Sequence, residues 1–472
     1  MSNFYSKTRK IDKIGVTVFS LLFLTVGFLQ ASSLTFGKPI ISWVQWPTVA
    51  LGCLLLLERF INFKHYLKTR GIILLIIFAA GYVVSSLLTF KYGYYNNVRT
   101  LAFLAMQFGL LYATDSDSDP EDSRKRFTVC ANYFLAGTAV LTVLSFVYMF
   151  SGYTKVFFPA VGEEGPIYYI GFVDGRLFGA YWDPNIAATM ATVAVMISVF
   201  FVAKYKRAVL RTVYIISAVV QVLYISFSDS RTGRICLIGG VAFCSLLLAA
   251  KHKFSAKRLN QVLAVTAAVV ISVCVAAAAP SAIQKGYNAV VHINSESNSV
   301  VNDIPEDVFN RGYDMSSDIS NRRFDIWGSA VEIFKTSPLF GVSRANILPY
   351  VDENLPDTYI ITNDHMRFDS MHNMYFEILA SQGLVGLITF LTFMAVVIIG
   401  IFKNIKALWN HERFYLFALI FCIAVTVCVS TLVMAEIVYV TSPISTMLWL
   451  SIGCINHYIA HDCGKKKTEE LQ

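Results

Sequence analysis

Apolar residues run along this chain in blocks of about 18 or more, broken by short polar segments. A block of that length crosses about 30 Å of hydrocarbon as a helix. Twelve such spans fit, at 14–34, 39–58, 71–90, 97–114, 127–151, 185–203, 208–227, 233–250, 259–279, 380–402, 414–433 and 437–458. Two polar interruptions are longer than the rest, at 152–184 and 280–371. The pattern predicts an all-α, polytopic membrane protein with about 12 transmembrane helices. The apolar core of the first span is about 20 residues, longer than a typical signal-peptide core, so it reads as a retained anchor.

Inside the polar stretches a few local signals recur. Asp183 precedes Pro184 and is expected to cap the span that follows, because proline suits a first helical turn. Residues 321–336 predict an amphipathic helix with Phe324, Trp327, Val331 and Phe334 on one face, Ser320 as its cap and Pro338 beyond its end. Such a helix lies along a membrane interface. Residues 292–320 are rich in Ser, Asn and Asp and read as irregular. The acidic run from Asp115 to Asp122 lacks the glycine and glutamate of a calcium loop and reads as a solvated loop.

Charge then orients the pattern. The 472 residues are 56% hydrophobic and 15% charged, against about 25% charged in soluble domains. The net charge of +8 would suit nucleic acid if it were clustered on one domain. It is instead spread over alternate loops: with the N-terminus inside, 25 of the 39 Lys and Arg fall in inner segments, three or four in each. That is the positive-inside signature, and it excludes a nucleic-acid footprint. Both termini are then cytoplasmic, and 152–184 and 280–371 face outward. The expected organisation is spans 1–9 over 1–279, a large extracytoplasmic loop subdomain over 280–371 between spans 9 and 10, spans 10–12 over 372–458, and a cytoplasmic tail over 459–472. The nine cysteines form no C-x-x-C, so neither a disulfide framework nor a zinc site is expected.

Three arginines and one histidine fall on the outward side: Arg176 in a Gly- and aromatic-rich segment, Arg231 in the tight turn before span 8, Arg323 on the amphipathic helix, and His372 at the mouth of span 10. Taken singly, each has a structural reading, such as an interfacial snorkelling Arg or an Arg231–Asp229 or Arg234–Asp229 pair. Together they suit a polyanion at the membrane surface, since the planar guanidinium fork matches phosphate. A lipid-linked pyrophosphate is the natural ligand. His372 stands near a helix start and near arginines, both of which favour the neutral imidazole that a general base needs. Glu377, one turn on, either orients His372 or faces the polar side.

Four stretches together resemble the bacterial O-antigen ligase / O-antigen polymerase family. They are Gly175-Arg176-Leu177-Phe178-Gly179 with Asp183-Pro184-Asn185; Ser228-Asp229-Ser230-Arg231-Thr232-Gly233; Arg323 and Trp327 running on to Ser337-Pro338-Leu339-Phe340-Gly341-Val342; and His372-Asn373 with Gln382-Gly383-Leu384-Val385-Gly386. The resemblance covers roughly 170–400, and Asp183 stands where the family usually has Asn. It implies a GT-C-like helical fold and a metal-independent glycosyltransferase of the plasma membrane, without cofactor. The donor would be an undecaprenyl-diphosphate-linked glycan, with other polysaccharide-assembly membrane proteins as possible partners and no nucleic acid. Carried over by position, Arg176, Arg231 and Arg323 would hold the donor pyrophosphate and His372 would handle the acceptor proton. Asn373, Asn185, Trp327 and Glu377 would support them. A polymerase of capsule, exopolysaccharide or O-antigen repeats is the first expectation, and a ligase moving finished glycan is the second. A transporter or flippase is the third, and it would need charges or broken helices near the membrane midplane, of which the spans show almost none.

Overall fold

The computed structural model describes residues 2–157, 168–251, 258–297, 322–363 and 367–469. It is mostly helical. In chain order the main helices are α1 (Ser2–Ala31), α2 (Ile40–Ile61), α3 (Ile72–Leu88), α4 (Tyr95–Met106, continued as a π turn over Gln107–Tyr112) and α5 (Pro120–Phe150). Then come α6 (Pro184–Lys204), α7 (Ala208–Phe227), α8 (Arg231–Lys251), α9 (Arg258–Ser297), α10 (Arg323–Thr336), α11 (Ile347–Asn354), α12 (Met374–Lys403), α13 (Phe414–Thr431) and α14 (Pro443–Glu469). Among the described residues nine helices are long and apolar enough to cross a membrane, and α3 is a shorter apolar helix. Large apolar side chains such as Trp43, Phe60 and Val209 lie 76% exposed on their flanks. Lipid permits such surface and water does not. The protein is a multi-pass membrane protein.

The bundle is organised around α6, which is 72% buried over its apolar window. Its small residues allow close packing. A Cβ on Gly233 would meet the Cβ of Ala188 at 2.4 Å, so α8 lies directly on α6. Asp183 caps α6, its side chain accepting from the Asn185 N–H, with Pro184 in the first turn as the sequence predicts.

The structure keeps the mostly helical, polytopic architecture and departs from the expected pattern in four places. The chain is not purely helical: β1 (Lys155–Phe157), β2 (Tyr168–Val173) and β3 (Arg176–Gly179) form an antiparallel sheet in order β1-β2-β3. Its β2–β3 turn is Asp174-Gly175, both at positive φ, which is the two-residue turn that matches strand twist. Pro280 does not open a loop, since α9 runs through it to Ser297. The amphipathic helix begins at Arg323, and Ser320 lies outside the described residues, as do 298–321 as a whole. The face it buries is Ile326, Ser329, Ala330 and Ile333, while Phe324 on the expected face is 67% exposed. The buried face packs with Val342, Ile347, Val351, Ile360 and Met371 into a second small core that rests on Ala380 of α12.

The fourth departure is in α12, which is interrupted. Gly383 has φ 59° and ψ −153°, which breaks the hydrogen-bond ladder. The segment after α10 repairs it. Val342 and Ser343 N–H donate to the Ala380 and Ser381 carbonyls at 3.0 and 2.9 Å. Leu384 and Val385 N–H donate to the Pro338 and Leu339 carbonyls at 2.9 and 3.1 Å. Non-helical backbone among membrane helices survives only when its groups are paired in this way.

Candidate active site

Arg176 leaves β3 immediately after the Asp174-Gly175 turn. Its Nε donates to the Ser228 carbonyl at 3.0 Å and its Nη2 to Asn185 Oδ1 at 3.1 Å. Its guanidinium also stands 5.6 Å from the Phe178 ring centroid. Asn185 Oδ1 accepts a second bond, from Ser230 Oγ at 2.8 Å. Ser230 Oγ in turn accepts from the Gly233 N–H at 3.0 Å, capping α8, whose first residue is Arg231. This network joins the hairpin, the start of α6 and the start of α8. Asp229 pairs with Arg234 at 2.7 Å, and Gln284 of α9 bonds both. The Asp229–Arg234 pairing open in the sequence is therefore formed. Arg231 presents an exposed side chain at the helix start.

Arg323 begins α10 and is half-buried. Burial lowers its pKa below the ordinary value; Asp183 opposes that shift and Arg231 adds to it. The guanidinium therefore shares its surroundings with both residues. His372 adopts φ 46°, a conformation costly for a residue with a Cβ, of order 1–3 kcal/mol. Asn373 follows as the cap of α12, its Oδ1 accepting from the Tyr375 and Phe376 N–H groups. Burial depresses the His372 pKa below its usual 6.5; Asp183 and Asp369 oppose, while Arg323 and Arg344 reinforce. Phe368 meets the imidazole edge-on at 5.9 Å.

Glu377 reaches the backbone around His372 and not its ring. Its Oε2 accepts from the Met371 N–H at 2.6 Å and from Ser370 Oγ at 3.1 Å, and Ser370 Oγ accepts from the His372 N–H at 3.3 Å. Its Oε1 pairs with Arg344 Nε at 2.5 Å. The buried carboxylate thus clamps the 370–372 turn. Trp327 stacks on Phe376 at 5.3 Å and 17°, fastening α10 to α12.

Two residues of this region escaped the sequence. Arg344 is the half-buried partner of the buried Glu377, and a carboxylate one turn into an apolar helix was the signal that a cation must meet it. Glu436 lies in the irregular segment between α13 and α14, 6% exposed, and neither carboxylate oxygen has a hydrogen-bond partner among the described residues. Burial raises its pKa well above the usual range, and Asp183 raises it further. The same segment is tied to the His372 turn by Asn373 Nδ2, which donates to the Leu432 carbonyl at 2.8 Å.

Asp183 is therefore the electrostatic meeting point of Arg323, His372 and Glu436. Arg176 joins through Asn185, two residues along from Asp183. Four helices, α6, α8, α10 and α12, begin here, so their positive dipole ends add to the arginines. The arrangement attracts a multiply charged anion and keeps a neutral imidazole beside it.

Comparison with known proteins finds two similarities. An uncharacterized protein of Haemophilus influenzae is 26% identical over 231 residues, which cover 48% of this chain and 52% of the relative. The chain thus spans about half the length of the curated relative it matches. Residues 216–391 match the family described as O-Antigen ligase, a stretch that holds Arg231, Arg323, His372 and both sides of the α12 interruption, though not Arg176 or Asn185. That stretch, somewhat over a third of the chain, is similar to the O-antigen ligase family.

Proposed function

We propose that this protein is a membrane glycosyltransferase that polymerises undecaprenyl-diphosphate-linked oligosaccharide repeat units on the outer face of the plasma membrane. The observation that carries the reading is the convergence of Arg176, Arg231, Arg323 and His372 around the start of α6. In this reading the arginines hold the donor pyrophosphate. The acceptor hydroxyl oxygen forms a bond to the anomeric carbon of the donor sugar as that carbon's bond to the pyrophosphate oxygen breaks. The electron pair leaves with the pyrophosphate, whose growing charge the arginines and helix ends stabilise. The hydroxyl proton passes to the neutral His372 imidazole. Asn185, Asn373, Trp327 and Glu377 hold these groups in place. No step calls on a metal ion, so chelation with EDTA should leave the rate unchanged.

The name of the matched family favours a second reading with the same chemistry, a ligase that passes finished glycan to another acceptor. Purified protein in liposomes with lipid-linked repeat units alone separates the two. A polymerase yields a ladder on a gel; a ligase yields none until its acceptor is added. In either assay Arg231→Lys, which keeps the charge and loses the fork, should cut the rate roughly 10²-fold. Undiminished activity in that variant would sink the assignment of Arg231 to the pyrophosphate.

A further inference from the structure

A second charged cavity, of about 300 Å³, lies among the first half of α1, the end of α2 and the start of α5. It is far from the site above. The Ala31 carbonyl at the end of α1 accepts from the Trp182 N–H, next to Asp183. Arg9 lies 22 residues earlier on the same helix, about 33 Å away at 1.5 Å per residue, close to one hydrocarbon thickness. The cavity therefore sits at the opposite membrane face.

Its charges pair off with one remainder. Arg59 grips Asp12 with two bonds, Nε to Oδ1 at 3.0 Å and Nη2 to Oδ2 at 3.1 Å. Its Nη1 donates to the Ala113 carbonyl at 2.9 Å. Arg9 pairs with Asp115 at 3.3 Å and Lys13 with Asp122 at 2.5 Å. These contacts neutralise the three acids that line the cavity. Arg126 is left over. Its Nε is buried without a hydrogen-bond partner, and among the described residues it makes no ion pair. Arg126 is half-buried as a residue, and a guanidinium nitrogen buried without a partner is costly unless a ligand meets it. Ser118, just before the 31-residue α5, and Ser123, in its first turn, line the same space, with Ser118 Oγ donating to the Asp115 carbonyl at 2.8 Å and Ser123 Oγ bonded to His457 Nδ1 at 2.8 Å. An excess guanidinium beside a positive helix end suits a single phosphate group.

We propose that this cavity binds a phosphate ester or inorganic phosphate through Arg126. The source is either an anionic lipid headgroup at that membrane face or a free phosphate compound.

The test uses the purified full-length protein in neutral detergent, followed by its thermal unfolding midpoint. One arm titrates inorganic phosphate against chloride of equal ionic strength. The other adds phosphatidylglycerol to the micelles. A saturable rise with phosphatidylglycerol alone identifies a lipid headgroup, and a rise with inorganic phosphate identifies a free anion. In Arg126→Gln the apparent affinity should fall at least tenfold, while the repeat-unit transfer activity is retained. Two results would overturn the proposal: an equal response in Arg126→Gln, or no saturable rise in the wild-type protein in either arm. The second holds even if the variant does not fold.

Discussion

Gly383→Ala is the sharpest structural test, because the cost can be worked from geometry. At φ 59° and ψ −153° Gly383 occupies a region closed to residues with a Cβ, which costs about 1–3 kcal/mol. The added Cβ would lie 2.6 Å from the Leu339 carbonyl carbon and oxygen and the Pro338 oxygen. These are backbone atoms, so the two segments must separate. Separation weakens at least the Leu384–Pro338 and Val385–Leu339 hydrogen bonds, each worth about 0.5–1.5 kcal/mol net. The sum is about 2–6 kcal/mol, a large share of a typical stability of about 5–15 kcal/mol. Thermal unfolding in detergent, with hydrogen exchange read at 338–343, should show a much lower midpoint and lost protection there. Gly328→Ala is the control: nothing lies within 4 Å of its Cβ and it sits within α10, so it should gain about 0.5–1 kcal/mol. A Gly383→Ala protein with the midpoint and protection of wild type would refute the crossing.

Three further outcomes follow from the site. The depressed His372 pKa makes the unfolded chain the better proton acceptor, so its stabilising effect is complete above pH 6.5 and declines as the pH falls through the depressed value; the acid limb of the rate should likewise lie below 6.5, and Arg323→Gln, which removes a like charge, should move it upward. A limb that stays put in that variant would separate Arg323 from His372. Glu377→Gln should destabilise by about 3–5 kcal/mol because Arg344 loses its buried partner, and adding Arg344→Gln should recover part of the loss; strict additivity in that double-mutant cycle would mean the pair does not act as a unit. For membrane orientation, an Asp357→Cys variant, exposed in the loop subdomain, should react with a membrane-impermeant thiol reagent on intact cells, and labelling only after the membrane is opened would reverse the topology on which the outward assignment rests.

Much of the bundle was legible because lipid imposes a simple rule. Each apolar block had to be a helix, and each of the twelve expected spans overlaps one. The Asp183 cap was legible for a local reason, a side chain meeting free N–H groups two residues on. The sheet was missed although Asp174-Gly175 between Phe172-Val173 and Leu177-Phe178 is a strong hairpin signal. The apolar background masked its alternation. Periodicity misplaced the buried face of α10 because its two apolar stripes differ in kind. Phe324 and Trp327 are the larger, but the small Ser329 and Ala330 are what let α10 approach α12. Proline at 280 was read as a breaker, yet a long helix tolerates it. Arg344 and Glu436 carry no local signature. Their importance comes from burial beside partners distant in sequence, which a single chain does not display.

The interruption in α12 explains why residues with no chemistry to perform sit among the shared motifs. Ser337-Pro338-Leu339-Phe340-Gly341-Val342 and Gln382-Gly383-Leu384-Val385-Gly386 meet backbone to backbone. A Cβ on Gly341 would strike the Ala380 oxygen and the Gln382 nitrogen at 2.5 Å, as one on Gly383 would strike Leu339. Only glycine on both sides allows the crossing. Arg323 lies one rigid helix before the crossing on one strand, and His372 lies one helical segment before it on the other. With Trp327 stacked on Phe376 as a second fastening, the separation of Arg323 from His372 is set by two fixed points and not by loop motion. On the proposed function, holding a pyrophosphate and an acceptor hydroxyl in register needs that separation fixed to within a fraction of an ångström. The crossing is therefore the frame of the site, and Gly341→Ala should lower turnover through both residues even though neither it nor Gly383 approaches the reacting atoms.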